Sequence, residues 1–574
     1  MNPGTPPTRG RARRPVRRIT AVAAAVAAAA FGAADALAFE IDTGNPDLTV
    51  RWDNTPRLNL GWRVEKRDDK IGNSAIADEG TYSFDKGDMV AQRIDWLTEL
   101  DVVYLKNFGG RLSATAWYDN AYGSTSKSNP NAPLVNIPSY INNEYSSYTK
   151  RLYRGGSGEI LDAFVFGRFD LGEAPTTVKL GRHTLYWGES LFLGGNVNGI
   201  AYAQNPLDLQ KGFATPGVEA KELFRPLNQI SAQSSVTDTL TIGAQYFFEW
   251  ESFRYPEGGT YLGPVDFAFN GPDRQFISPA LGFATRGDAA EPKQSGDWGL
   301  SARWSPEWLD GTMGFYYRNF SDKLPQTFIT QAPPIGPARY NLIYKDNIQL
   351  FGVSLAKSVA GVSLGAELSY RKDTPLNSQV LGVSIGLPDE GDTKGPIGDT
   401  AHGLVNALGV LPKTPVFDAA TWAAELTWGH LVSVTSGANL YNGVGYAPCL
   451  ANGTTRTRDF DKWDGCATKN YFGIAMAFTP IWYQAFPGVD LSAPITYATG
   501  LSGNAPTVFG GNQGLGNYSL GLGADVLQKY RFDLKYIDYL GRYRDNGTAV
   551  TSQNGFTTFL KDRGFLALTF KTTF

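Results

Sequence analysis

Cysteine, methionine and histidine are scarce in this 574-residue chain, which holds only two, four and three of them. Two cysteines cannot build the disulfide-dense framework of a small secreted domain, and without a nearby histidine they make a poor metal site. The histidines His183, His402 and His430 leave few candidates for a general base. A basic surplus is missing as well: 52 Lys and Arg stand against 55 Asp and Glu, a net charge of -3, whereas a nucleic-acid binder wants a basic surface. No phosphate-binding loop of the Walker type occurs, so nothing in the chain is set up to draw on a nucleotide. Beyond residue 38 there is also no apolar run of the roughly 18 residues that a membrane-crossing helix needs.

What is abundant is glycine and aromatic residues: 65 Gly, 33 Phe, 28 Tyr and 13 Trp. Tyr and Trp settle at membrane boundaries because ring and polar atom can each find their preferred surroundings. The mean hydropathy of -0.24 is that of a water-soluble chain, a value a transmembrane barrel also gives because each strand hides its lipid face in alternation. The C-terminal residues Leu566 to Phe574 show that alternation. Leu566, Leu568, Phe570, Thr572 and Phe574 fall on one side, and Ala567, Thr569, Lys571 and Thr573 on the other. A closing strand that ends on Phe is characteristic of bacterial outer-membrane barrels.

The N-terminus supports the same location. Arg9, Arg11, Arg13, Arg14, Arg17 and Arg18 precede an apolar run from Ile19 to Ala34, and Ala36-Leu37-Ala38 supplies small residues at the cleavage positions. This predicts a secretory signal peptide over 1–38, with a mature barrel domain over 39–574 beginning at Phe39.

The alternation recurs through the chain. Outward sets are read at Ile94, Trp96, Thr98, Leu100, Val102 and Tyr104, at Leu240 through Trp250 by twos, at Val362 through Tyr370 by twos, and at Tyr530 through Tyr536 by twos. Strands of about ten residues are long enough to cross the hydrocarbon when tilted. Connections alternate in length. Short ones fall at Lys106 to Gly110, Leu171 to Pro175, Val236 to Thr239 and Ala360-Gly361, and long ones near 121–158, 252–296, 321–346, 372–417 and 540–560. The fold class is therefore all-β, a transmembrane antiparallel up-and-down barrel of about 18 strands. Sixteen is the alternative, because 431–447 is hard to assign.

One segment breaks the pattern. Between about 184 and 228 the alternation gives way to a stretch neither very polar nor of low complexity, expected to fold into the lumen as the third external loop and constrict it. The candidate constriction residues are Arg182, His183, Trp187, Glu189, Asp208, Lys221 and Glu222, joined by the inward charges Glu249, Arg303, Glu367, Arg371, Arg531 and Asp533. Asp95, Glu99, Asp101, Lys535 and Lys571 fall on the same inward side. A lumen lined with both signs selects solutes by charge and size. Opposite charges on neighbouring strands also neutralise each other without any solute. Aromatics of 252–285, namely Phe253, Tyr255, Tyr261, Phe267 and Phe269, are candidates to collect an apolar ligand.

Several motifs in this region carry a family resemblance. Gly181-Arg182-His183 with Trp187-Gly188-Glu189-Ser190, Asn205-Pro206-Leu207-Asp208, Pro216-Gly217, and Glu249-Trp250 followed by Gly259-Thr260-Tyr261 resemble the Gram-negative outer-membrane family catalogued as domain of unknown function 1302. So do Phe39-Glu40-Ile41-Asp42-Thr43-Gly44, Gly365 to Arg371 and the terminal strand. The resemblance implies a large outer-membrane barrel embedded in lipid. It also implies a periplasmic companion (domain of unknown function 1329), an inner-membrane lipid-type transporter, and neighbouring genes that handle terpenes, steroids or aromatics. It supplies no catalytic motif.

Chemistry is otherwise thin. Gly361-Val362-Ser363-Leu364-Gly365 and Gly382-Val383-Ser384-Ile385-Gly386 match the nucleophile pattern of hydrolases, but the first lies in an alternating strand and the second beside one, where no strand-turn-helix elbow is expected. The acidic clusters Asp389-Glu390-Gly391-Asp392 and Asp459 to Asp464 lack the spacing of a calcium loop. No catalytic residue, cofactor or metal is assigned. Cys449 and Cys466 flank 16 residues, a spacing compatible with a disulfide on an external loop, worth roughly 3 kcal/mol in the chain-entropy model. The reading is a non-enzymatic, porin-like conduit for a small hydrophobic or amphipathic solute in the outer membrane. The alternative is a plugged barrel that serves an export system as a structural or assembly partner.

Overall fold

A computed structural model of the protein describes residues 39–132, 137–218, 220–278, 282–378, 385–454 and 456–574. The leader over 1–38 and Ser384 of the second hydrolase-like match lie outside the described residues.

Among the described residues eighteen antiparallel strands form the wall, their side chains alternating between an outer and an inner face. They are β1 Leu48–Arg63, β2 Met89–Tyr104, β3 Phe108–Asp119, β4 Gly155–Leu171, β5 Ala174–His183, β6 Leu227–Ser235, β7 Leu240–Phe247, β8 Trp298–Trp304 and β9 Gly311–Phe320. There follow β10 Ile348–Val359, β11 Val362–Pro375, β12 Ile397–Leu411, β13 Ala419–Ser436, β14 Asn470–Phe486, β15 in two pieces (Val489–Ser492 and Ile495–Ser502), β16 Gly516–Val526, β17 Tyr530–Leu540 and β18 Phe565–Thr572. Each strand pairs with the next, and β18 pairs with both β17 and β1, so the sheet has no free edge. The break in β15 falls at Ala493-Pro494, where proline has no N–H to give the ladder. The terminal Phe574 exchanges backbone hydrogen bonds with Asn54 at 2.7 and 2.9 Å and sets its ring edge-on to Trp96 at 5.9 Å, sealing the closure.

Turns and loops segregate to opposite ends. At the turn end the β10–β11 connection is two residues, Ala360 (φ 50°) and Gly361 (φ 81°), the positive-φ pair that matches strand twist in a tight hairpin. The other end carries nine loops, at 64–88, 120–154, 184–226, 248–297, 321–347, 376–396, 437–469, 503–515 and 541–564. The 184–226 segment is the third of them, as expected. The expected long loop over 372–417 is corrected: it contains β12, so the loop is 376–396 and 412–418 is a turn. The residues hard to assign at 431–447 divide between the end of β13 at Ser436 and the seventh loop.

Burial is inverted relative to a soluble protein. Leu112, Ile160, Val165, Leu180, Leu300, Phe351, Leu368, Val405, Leu426, Leu520 and Leu522 are exposed on the outer wall, while the fully buried large side chains include Arg57, Arg63, Arg318, Arg371, Arg563, Lys211 and Lys323. The apolar core lies within the cylinder and under its mouth, built from loops: Val197, Ile200, Tyr202, Leu207, Phe253, Tyr255, Phe267 and Phe269 pack on Tyr316, Phe320 and Leu350 of the wall. Trp250 corrects the outward reading. It lies beyond β7, is 4% exposed, packs against Tyr344 at 4.9 Å and donates its ring N–H to the Asp322 carbonyl at 3.1 Å. A closed cylinder with an apolar exterior and every wall strand paired is stable only in a bilayer, and this form belongs to the outer membrane of Gram-negative cells.

Candidate functional site in the lumen

Alternation on β9, β11 and β13 sends Arg318, Glu367, Arg371 and Glu425 inward, and all four meet the backbone of the third loop. Glu367 accepts from the backbone N–H of Glu189, of Ser190 at 3.1 Å and of Ile200 at 2.7 Å. Glu425 accepts from Leu191 N–H at 2.7 Å and Phe192 N–H at 3.3 Å. Arg371 donates to the Val197 and Gly199 carbonyls, both at 2.9 Å, and lies over the Tyr202 ring at 4.1 Å. Arg318 donates to the Ile200 and Tyr202 carbonyls at 2.9 and 2.6 Å. Irregular backbone at membrane depth leaves its polar groups without strand partners, and here the wall's charges supply them. The loop comes close enough that Cβ on Gly352 of β10 would lie 2.7 Å from Ile200.

The second half of the loop is tied by side chains. Asp208 caps the helix Leu209–Ala214 by accepting from Lys211 N–H at 2.9 Å, and also pairs with Arg254 at 3.1 Å. Glu222 takes both arms of Arg57 at 2.7 and 3.1 Å with Lys211 3.9 Å away, and Lys221 pairs with Glu99. Trp187 packs on Tyr316 at 5.9 Å and Gly299, its backbone N–H on Gln204.

The structure thus sorts the inward residues expected from sequence. Trp187, Glu189, Asp208, Lys221 and Glu222 belong to the in-folded loop, and Glu367 and Arg371 hold it. Their polar contacts join this loop to its surroundings: Glu189 accepts from Ser354, Lys221 meets Glu99 and Glu222 meets Arg57 on the wall, Asp208 meets Arg254 of the fourth loop, and Glu367 and Arg371 reach the loop backbone. Arg182 pairs with Glu249 at 2.9 Å and Glu251 at 3.4 Å where β5 meets the loops. His183 is buried, donating from Nδ1 to the Gly181 carbonyl at 3.0 Å and accepting the Ser231 hydroxyl at Nε2 at 2.8 Å. Arg303 is exposed, with no ion pair among the described residues, and Arg531 is held by Asp533 of its own strand at 2.9 Å. Arg318, Glu425 and Arg57 escaped notice in the sequence, since an inward position looks the same whether it anchors a loop or faces water. Ser363 lies inside β11 without the turn and helix of a hydrolase elbow. Asp464 is paired to Arg458 at 2.7 Å and Arg544 at 3.1 Å. Cys449 and Cys466 form the expected disulfide.

Because the loop leans on β9 to β13, space remains along β14 to β17. A cavity of about 760 Å³ runs there from beneath the loops into the barrel. Its wall side is small or neutral, with Gly473, Ala475, Thr496, Ala498, Gly500 and Ser519, and its loop side is aromatic. Tyr255 stacks on Phe269 at 4.7 Å and on Phe509 at 4.8 Å, and Phe267 meets Phe556 at 5.9 Å. Phe269 (φ 65°) and Phe509 (φ 57°) hold these positions with left-handed backbone, which costs a non-glycine residue of order 1–3 kcal/mol. Of the loop aromatics singled out from sequence, Tyr255, Phe267 and Phe269 line the cavity. Phe253 packs in the core, and Tyr261 packs edge-on against Phe84 and Phe565.

A family model described as a protein of unknown function, DUF1302, matches residues 17–574. The chain belongs to this family. No curated protein matches it. Solved structures that resemble this DUF1302 member include Acinetobacter baumannii OccAB2 (TM-score 0.39, 11% identity, 92% of this chain and 98% of that one). Pseudomonas aeruginosa OpdK with vanillate gives a TM-score of 0.38 at 9% identity, over 92% of this chain and 98% of that one. A BenF-like porin from Pseudomonas fluorescens Pf-5 gives 0.40 at 10% identity, over 93% of this chain and 99% of that one.

Proposed function

We propose that this DUF1302 barrel is a porin-like conduit that passes a small hydrophobic or amphipathic solute down its gradient across the outer membrane, without catalysis. The observation that carries the reading is the cavity beside the third loop, where a stack of aromatic rings under the mouth continues into a stripe of small residues on β14 to β17. Rings collect an apolar body, and a wall of Gly, Ala, Ser and Thr leaves room for it to descend. The in-folded loop narrows the remaining lumen, so ion flow should be small. A periplasmic companion and an inner-membrane transporter would then hand the solute on.

The same loop, with so many wall charges committed to holding it, favours a second reading: a plugged, non-conducting barrel that acts as an assembly partner. Planar-bilayer recording separates the two. A conduit gives discrete steps of low conductance that aromatic solutes interrupt in a concentration-dependent way. Silence over many verified insertions, together with no solute-dependent effect, rejects the conduit and leaves the plug.

A further inference from the structure

Among the described residues the cavity is lined by three charged side chains, and two are already committed. Glu425 accepts from the loop N–H groups of Leu191 and Phe192 and from the Asn406 side chain at 3.3 Å. Asp464 is held by two arginines and the Ser552 hydroxyl. The third is Lys535, which points inward from the middle of β17. Its Nζ donates one hydrogen bond, to the Pro216 carbonyl at 3.2 Å, and among the described residues no carboxylate lies within ion-pair distance. Asp533, two residues along the same face, is taken by both arms of Arg531 at 2.9 and 3.1 Å. The ammonium therefore has donors to spare, in a cavity otherwise lined mainly by neutral and apolar groups.

Resting on the reading of this cavity as the solute's path, we infer that the solute is an amphipathic anion, an apolar ring body bearing one carboxylate that Lys535 receives. Ile537 and Tyr539 continue the inward face of β17 from Lys535 towards the loops, where Phe556 and Phe509 close the cavity. Four residues of strand span about 13 Å, so the inward face from Lys535 to Tyr539 is about the length of a two-ring molecule. A neutral solute of the same shape would leave the half-buried ammonium with the Pro216 carbonyl and no counter-charge, and donors left unmet beside a bound solute are what turn a polar contact into discrimination. Thr496 and Ser519, facing the same space, add neutral hydroxyls rather than competing charge.

The test is titration calorimetry of the full barrel in detergent, against a micelle blank, with 4-biphenylcarboxylate and 4-biphenylcarboxamide as probes. The wild-type protein should bind the carboxylate about 10- to 100-fold more tightly than the amide, the range of a charge-assisted hydrogen bond. Lys535→Gln should erase that preference by weakening the carboxylate alone, and Lys535→Arg should keep it. Heat-modifiable gel mobility confirms that each variant is folded. Equal binding of the two probes by the wild type, or a preference that survives Lys535→Gln, overturns the inference. If Phe509→Ala weakens both probes while Lys535→Gln alters neither, the apolar path stands and the anion assignment falls. Failure of both probes to bind saturably removes the anion assignment and the apolar path together.

Discussion

Glu367 shows how much one inward carboxylate can organise. Its two oxygens satisfy three N–H groups from two stretches of the third loop, Glu189-Ser190 and Ile200, contacts that neither strand nor helix pairing would provide there. Glu367→Ala leaves those donors unmet in a tight interior and should destabilise the loop's seat by about 3 kcal/mol, at the cost of an unmade buried hydrogen bond or two. The barrel ladder is untouched, so gel mobility should stay wild-type while single-channel conductance rises and becomes noisy. Unchanged, quiet current in this variant would mean that Arg371, Arg318 and Glu425 suffice to hold the loop. The inward position of Glu367 was legible in the sequence, because period-two alternation on β11 dictates it. Its partner was not, since a loop some 170 residues earlier in the chain supplies the N–H groups and no local pattern encodes that meeting. The same limit concealed Glu425 and Arg318.

Among elements, the wall was the more legible part. Strand direction, even number, the two-residue turn at Ala360-Gly361 and the closing strand all follow from local rules, and only β12 was absorbed into a loop, its Gly398, Gly403 and Gly409 diluting the alternation. The loops are a different material, with a core of their own that includes buried acids. Burial pushes the Glu79 carboxyl up to about 7 and Glu257 up to about 8, and burial together with neighbouring Asp78 and Glu79 lifts Asp266 well above the usual carboxylate range. Acids whose folded pKa is raised favour the folded state when protonated. Their contribution is full below the ordinary value near 4.5 and is lost as pH rises through about 7 and then 8. The packing of loops 64–88 and 248–297 should therefore loosen between pH 5 and 9. Lys127 is exposed beside this core, its backbone N–H on Ser83 at 3.2 Å. A nitroxide on Lys127→Cys should show a mobile spectral fraction that grows severalfold across that range, and a spectrum independent of pH would contradict the assignment.

For the whole molecule, the division of labour between wall and loop makes a stronger demand. His183 at the end of β5 and Leu227 at the start of β6 are register partners on adjacent strands, so the third loop leaves and returns at neighbouring points of the rim. Nothing in the closure of the cylinder requires the residues between. Replacing 186–224 with a short Gly-Ser turn should yield a barrel that still folds, still shifts on heating, and conducts several times more current than the wild type. Its lumen would expose Arg318, Arg371, Glu367 and Glu425 to water as two charges of each sign, favouring neither anions nor cations strongly. The loss of Phe192, Leu193, Val197 and Phe213 from the cavity lining would at the same time weaken the preference for aromatic over aliphatic solutes, leaving the rings of Tyr255, Phe269 and Phe509 to carry what remains. A folded variant with unchanged current would place the constriction elsewhere, and the fourth loop, whose Tyr255, Phe267 and Phe269 roof the same space, is then the element that closes the barrel.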